Sequence, residues 1–169
     1  MSGKRFAAAV SVVVTVVMLG ASVASAAPKP QTISLFEMDT AFYPTGGWNA
    51  DSNVPPTVGQ GFVTNGIYYK WAGTKRGAAV GSLQVACTVT TPVTFTQTGG
   101  TGWLHCDATA FLPGGKIEAS GPLSFTAKTN TLAVVGGTGQ YVAAQGYVKT
   151  TNIGGGDSST SADVIHITS

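Results

Sequence analysis

Residues 82–112 read SLQVACTVTTPVTFTQTGGTGWLHCDATAFL. Both ends of this stretch alternate with a period of two. In the first, Leu83, Val85, Cys87 and Val89 share one face, and Ser82, Gln84, Ala86 and Thr88 share the other. In the second, Leu104, Cys106, Ala108, Ala110 and Leu112 oppose Trp103, His105, Asp107, Thr109 and Phe111. Successive side chains of a strand point to opposite faces, so this pattern predicts two β-strands. Strands adjacent in sequence commonly pair, and each of these carries a cysteine on its aliphatic face. Cys87 and Cys106, the only cysteines, are therefore expected to form a cross-strand disulfide. The other reading is two buried free thiols.

The rest of the chain continues the pattern. It is rich in Thr, Val, Gly and aromatics, the mixture of pleated strands separated by turns. Strands are expected near 32–39, 59–70, 77–90, 102–112, 116–127, 130–136, 138–151 and 161–168. Pro113-Gly114-Gly115 and Lys128-Thr129-Asn130 supply turns, and residues 154–159 (GGGDSS) a flexible loop. Residues 44–58 form the longest irregular stretch. No segment after Thr32 has a sustained helical period. The expected fold is all-β, a single eight-stranded antiparallel β-barrel enclosing a small cavity, because closure removes exposed strand edges. In this reading the mixed aromatic and polar faces line the cavity. The aliphatic faces lie outside and need a loop or a second subunit to cover them, which predicts a homo-oligomer.

Residues 1–26 read as a signal peptide. Lys4 and Arg5 form a positive start, Phe6 to Leu19 is apolar, and Ala24-Ser25-Ala26 offers a cleavage site. Residues 27–31 form an extended leader, and 32–169 the barrel domain. A secreted protein with no stable membrane span follows. The alternative is an anchor, since Phe6 to Ala27 reaches the ~20 residues that a bilayer requires.

Composition narrows the function. Of 169 residues, 9% are charged, with nine Lys and Arg against seven Asp and Glu. Loss of Lys4 and Arg5 leaves seven of each sign, so there is no basic surplus for phosphate and nucleic acid is not an expected partner. With two histidines and a disulfide pair, too few ligands remain for a zinc site, and no cofactor or metal is implied. No nucleophile elbow, P-loop or dinucleotide fingerprint occurs. Gly136-Gly137-Thr138-Gly139 lies between expected strands and reads as a bulge or tight turn that needs positive φ. His105 reads as a wall residue or a catalyst.

Glu37 stands out. In Ile33-Ser34-Leu35-Phe36-Glu37-Met38-Asp39, alternation places it with Ile33, Leu35 and Asp39. A carboxylate on an apolar face is costly unless it is paired or neutral. It is either exposed near a strand end or a cavity carboxylate.

These residues also carry a resemblance. Gly136-Gly137-Thr138-Gly139-Gln140-Tyr141 followed by Ala144-Gln145-Gly146-Tyr147 resembles the G-G-T-G-x-F…A-R-G-Y signature of dirigent proteins. Gly121-Pro122, with the strand to Val135, resembles allene oxide cyclases of the same barrel superfamily. Leu35-Phe36-Glu37-Met38-Asp39 resembles the first cyclase strand. Phe62-Val63-Thr64-Asn65-Gly66-Ile67-Tyr68 and Lys75-Arg76-Gly77…Gly81-Ser82-Leu83 are similar to later cyclase segments. Together they cover most of 33–153.

The resemblance implies an eight-stranded barrel, often trimeric, that binds a small apolar molecule. It makes Glu37 and Asn65 the catalytic residues, with Asp39 and Pro44 near a bound water. Gln84 stands where the cyclases have a cavity cysteine, and Leu123 where they have a tyrosine. Gln145 replaces the dirigent arginine. These departures bear on the substrate, not on the barrel. Read alone, Asn65-Gly66 is a hairpin-turn dipeptide, so Asn65 is a wall residue or a turn residue. Tyr69, Trp103, His105 and Phe111 complete the expected lining. Three functions follow: an isomerase or cyclase shaping a reactive intermediate, a dirigent-like guide without turnover of its own, or an exported non-catalytic binder.

Overall fold

The computed structural model describes residues 29–168 except 52–53, 74, 97–98 and 155–159. The expected signal peptide at 1–26, the first two residues of the extended leader at 27–31 and most of the loop at 154–159 lie outside the described residues. Eight strands follow in chain order: β1 Gln31–Thr45, β2 Gly61–Trp71, β3 Arg76–Thr96, β4 Gly99–Leu112, β5 Gly115–Ser124, β6 Thr129–Gly137, β7 Gly146–Asn152 and β8 Thr160–Ile167. Each pairs antiparallel with the next, and β8 closes onto β1. This is the all-β barrel that the alternation predicted.

Several boundaries differ: β3 runs on from 90 to Thr96, β4 starts at Gly99 and not 102, and β5 ends at Ser124 and not 127. β1 runs on through Pro44 to Thr45, so the irregular stretch starts two residues later, at Gly46 with φ +65°. A bulge between Asp39 and Ala41 lets β1 continue while bending. The strand expected over 138–151 is instead a 3-10 turn at Gly139–Tyr141, a short connection, and then β7. Close packing is the reason. Gly139 (φ +62°) lies so near the β4–β5 turn that an added Cβ would sit 2.1 Å from the Gly114 carbonyl oxygen. The segment is pinned there by Gln140 N–H donating to Gly114 O (2.8 Å), and Tyr141 turns inward to close that end.

The faces of β3 and β4 are the reverse of the expectation. Leu83, Cys87, Val89, Leu104, Cys106 and Ala110 are buried in the interior. Trp103 is 49% exposed, and His105, Asp107 and Thr109 also face solvent. A closed barrel has one water-free volume, its inside, and aliphatic area removed from water gains roughly 25 cal/mol per Å². His105 and Asp107 would be desolvated there. No aliphatic face of β3 or β4 is left to be covered, so the argument for an oligomer from that face falls. Cys87 and Cys106 sit directly opposite each other and are disulfide-bonded, with an S–S distance of 2.05 Å.

Candidate active site

The barrel interior holds a cavity of about 150 Å³, enough for a single-ring molecule. Its walls are mostly apolar, with Phe62, Leu83, Val85, Leu123, Leu132 and Val148 among them. Among the described residues its ionisable side chains are Glu37, Asp39, Asp163 and Tyr68, and no Lys, Arg or His lines it. A vestibule of about 200 Å³ adjoins it at Glu37, Leu123 and Thr150, bordered by the β5–β6 turn and the start of β8. Glu37 therefore stands at the neck between cavity and vestibule.

Strand pairing assembles the polar cluster. Glu37 on β1 is opposite Tyr68 on β2 and Ser161 on β8, while Leu35 is opposite Asp163. Ser161 Oγ lies 2.6 Å from Glu37 Oε2 and 2.8 Å from Asp163 Oδ1. The Tyr68 hydroxyl donates to Asp163 Oδ2 at 2.8 Å. Thr64 donates to Asp39 Oδ1 at 2.8 Å or to the Ala41 carbonyl at 2.9 Å. Gly66, opposite Asp39, sits beside the Glu37 carboxyl: an added Cβ would be in ordinary contact with its Oε1 at 3.4 Å and closer, at 3.2 Å, to the Met38 carbonyl oxygen.

Electrostatics follow from this packing. Burial, then the negative charge of Asp163, pushes the Glu37 carboxyl well above its ordinary value. Burial also raises Asp39, and burial beside Asp163 raises the Tyr68 hydroxyl. Hydrogen counting agrees. Ser161 has one hydrogen and two carboxyl neighbours, so a second hydrogen must come from one of the carboxyls. Both contacts of Ser161 are hydrogen bonds when one of the two carboxyls carries a proton.

The cluster brings together two of the residues expected from sequence, Glu37 and Asp39, with Leu123 and Cys87 in the same wall. The others lie elsewhere. Asn65 is mid-strand, neither wall nor turn, and faces outward between Thr64 and Gly66, where Gln84 Nε2 donates to it at 3.3 Å. Tyr69 is on the outside against Phe36, with Arg76 4.8 Å above its ring. Pro44 is exposed at the end of β1. Trp103, His105 and Phe111 are on the outer face of β4, where Ser120 bridges His105 and Asp107. The physical reason is the parity of each strand: burying Tyr68 turns Asn65 and Tyr69 out, and burying Leu104 turns out Trp103, His105 and Phe111.

Tyr68, Thr64, Ser161 and Asp163 were not singled out from sequence. A signal existed for two of them. Ser161 and Asp163 alternate with Ile165 and Ile167, which puts polar groups on an apolar face, as with Glu37.

No family model and no curated protein matches the chain. Solved structures do. A pyocyanin demethylase is 21% identical with a TM-score of 0.62, over 82% of this chain and 100% of its own. A pterocarpan synthase dirigent protein is 15% identical with a TM-score of 0.61, over 83% and 95%. An exo-specific intermolecular Diels-Alderase is 18% identical with a TM-score of 0.58, over 82% and 98%. Similarity at this level establishes the fold and leaves the reaction open. The chain thus has the eight-stranded barrel fold of dirigent proteins and Diels-Alderases, the fold implied by its resemblance to the allene oxide cyclase and dirigent superfamily.

Proposed function

We propose that this protein is an isomerase or cyclase that protonates and folds a small, largely apolar substrate inside the barrel, and that its leader exports it. The observation that carries the reading is Glu37. Burial and the neighbouring Asp163 push its carboxyl well above the ordinary value, Ser161 and Asp163 hold it from behind, and it is placed where an apolar cavity meets its vestibule. A neutral carboxylic acid in a dry site is a general acid and a strong hydrogen-bond donor. Given to an epoxide or carbonyl oxygen, its proton lets a C–O π or σ bond break with the electron pair staying on oxygen. The carbon left electron-poor closes on a π bond of the same molecule, and a proton returns to Glu37. No atom is gained or lost. The wall of Phe62, Leu83, Val85 and Leu123 fixes which face closes, which supplies the orientation part of the rate.

The likeness to a dirigent protein favours a second reading, a guide that biases coupling without turnover of its own. The two separate in one assay. Small unsaturated epoxides and polyenes are incubated with the protein and with Glu37→Gln, and the products are resolved by chiral chromatography. An isomerase gives one enantiomer alone and loses that bias in the variant. A guide is inert until an oxidase generates the coupling partners. Equal enantiomeric excess with both proteins would sink the assignment of Glu37.

A further inference from the structure

We propose that Phe42 determines substrate specificity: its ring, turned into the barrel mouth by the β1 bulge, stacks on the part of a planar unsaturated substrate that extends beyond the one-ring cavity. This deepens the reading above and rests on its assumption that the cavity is the ligand site.

The bulge decides where Phe42 points. Leu35, Glu37 and Asp39 alternate on the inner face of β1. Unbroken alternation would continue that face with Ala41 and Tyr43 and send Phe42 outside. Between Asp39, opposite Gly66, and Ala41, opposite Asn65, β1 instead carries one extra residue, Thr40. The parity of the strand reverses there. Phe42 comes to lie opposite Thr64, and Pro44 opposite Phe62. Directly opposed residues share a face, and both Thr64 and Phe62 line the cavity, so Phe42 is on the inner face. Tyr43, opposite Val63, takes the outer one.

Side chains on both strands brace the bulge. Thr64 Oγ1 lies 2.8 Å from Asp39 Oδ1 and 2.9 Å from the Ala41 carbonyl oxygen, one contact on each side of the extra residue. The Thr40 hydroxyl donates to the Asn65 carbonyl at 3.0 Å. A bulge held in this way is a fixed part of the barrel, and bulges beside sites commonly serve to re-aim a side chain.

What is re-aimed here is an aromatic platform. Phe42 stacks on Phe62 with ring centroids 5.0 Å apart and planes at 28°, which continues the cavity wall outward. Trp48 meets Phe42 edge-on at 5.9 Å, and its own Nε1–H donates to the Val54 carbonyl at 3.2 Å. Braced by two rings, Phe42 is still 45% exposed. β8 pairs with β1 only over Gln31–Met38, so among the described residues no strand pairs with the other edge of β1 beside Phe42. An aromatic ring on the inner side of a barrel, fixed in place yet half in water, lacks the burial that a core ring gains. A ligand would supply it. The cavity takes one ring, and a second conjugated ring has to lie in the mouth, against Phe42. Offset or edge-to-face contact between aromatic rings gains more than contact of equal area with a saturated ring.

The test uses naphthalene-2-methanol and decahydronaphthalene-2-methanol, with benzyl alcohol and cyclohexylmethanol as their one-ring counterparts. Each is titrated calorimetrically into the unmodified protein, Phe42→Leu and Phe42→Tyr. The planar two-ring alcohol is expected to bind about two- to tenfold tighter than its saturated counterpart, beyond any preference within the one-ring pair. Phe42→Leu, which keeps an apolar side chain, should abolish that excess, and Phe42→Tyr should keep it. The one-ring preference should be the same in all three proteins. No excess in the unmodified protein, an excess that survives in Phe42→Leu, or binding of the one-ring alcohols alone overturns the proposal and leaves the cavity as the ligand site. Failure of all the alcohols to bind overturns the proposal together with the function on which it rests. Nuclear Overhauser contacts between the naphthyl protons and the Phe42 ring read the same stacking in the unmodified protein, and their absence at saturation overturns the proposal even where Phe42→Leu does not fold.

Discussion

Tyr68 and Asp163 lie 95 residues apart in the chain and meet across β1, where the Tyr68 hydroxyl donates to Asp163 Oδ2 at 2.8 Å. Both are almost fully buried, at 2% and 3% exposure. The bond exists because β2 and β8 flank the same strand, β1, only once the barrel has closed. Removing the hydroxyl leaves a buried carboxylate oxygen with no donor. Tyr68→Phe is expected to lower the unfolding free energy by about 1–3 kcal/mol, read from denaturant midpoints at constant m. An unchanged midpoint would mean that the bond contributes nothing to the fold.

Stability should depend on pH through Glu37. Its carboxyl is held well above the ordinary 4.5 in the folded chain, by burial and by Asp163. Between that value and its folded value, the native state binds more protons than the unfolded one. Stability is therefore fully present at low pH for this group and is lost as pH rises through the window. Denaturation midpoints between about pH 5 and about pH 8 should fall in the native protein and flatten in Glu37→Gln. The same slope in both proteins would contradict a neutral Glu37.

The Cys87–Cys106 disulfide links β3 to β4 across 19 residues of sequence and packs with Val89, Val93 and Leu104. Closing a loop of this length restricts the unfolded chain, and its loss costs about 3 kcal/mol. Replacing both cysteines with alanine, or adding reductant during the melt, should lower the midpoint accordingly. The buried position of both sulfurs predicts slow reduction of the native protein.

Two substitutions separate the inner wall from the outer one. Gly146, with φ +142°, begins β7 so close to β8 that an added Cβ would lie 1.8 Å from the His166 carbonyl oxygen. Gly146→Ala is expected to cost more than about 3 kcal/mol or to prevent folding, measured by circular dichroism and yield. Asn65→Ala removes an outer-face hydrogen bond with Gln84 and should shift stability by less than about 1 kcal/mol. It should also leave ligand binding in the cavity unaltered. A large loss of binding in Asn65→Ala would return that residue to the site.

The alternation of Leu83–Val89 and Leu104–Leu112, the turn at Pro113-Gly114 and the paired cysteines were enough to specify an eight-stranded antiparallel barrel with one disulfide. Local physics suffices for that much: a period of two marks a strand, glycine and proline mark its ends, and adjacent strands pair. The same logic marked Glu37 and Asp39, because charge on an apolar stripe is visible in one dimension. Which face of each strand turns inward is a property of the closed barrel. It is decided by the total apolar area removed from water, and it sent Trp103, His105 and Phe111 outside while bringing Leu104 and Cys106 in. Asn65 and Tyr69 went outward with the parity of β2, where polar and apolar residues mix on both faces. The partners of Glu37 belong wholly to tertiary structure. Ser161 and Asp163 come from the last strand and Tyr68 from the second, and only closure of β8 onto β1 brings Ser161 within 3 Å of Glu37 and Asp163 within 3 Å of Tyr68.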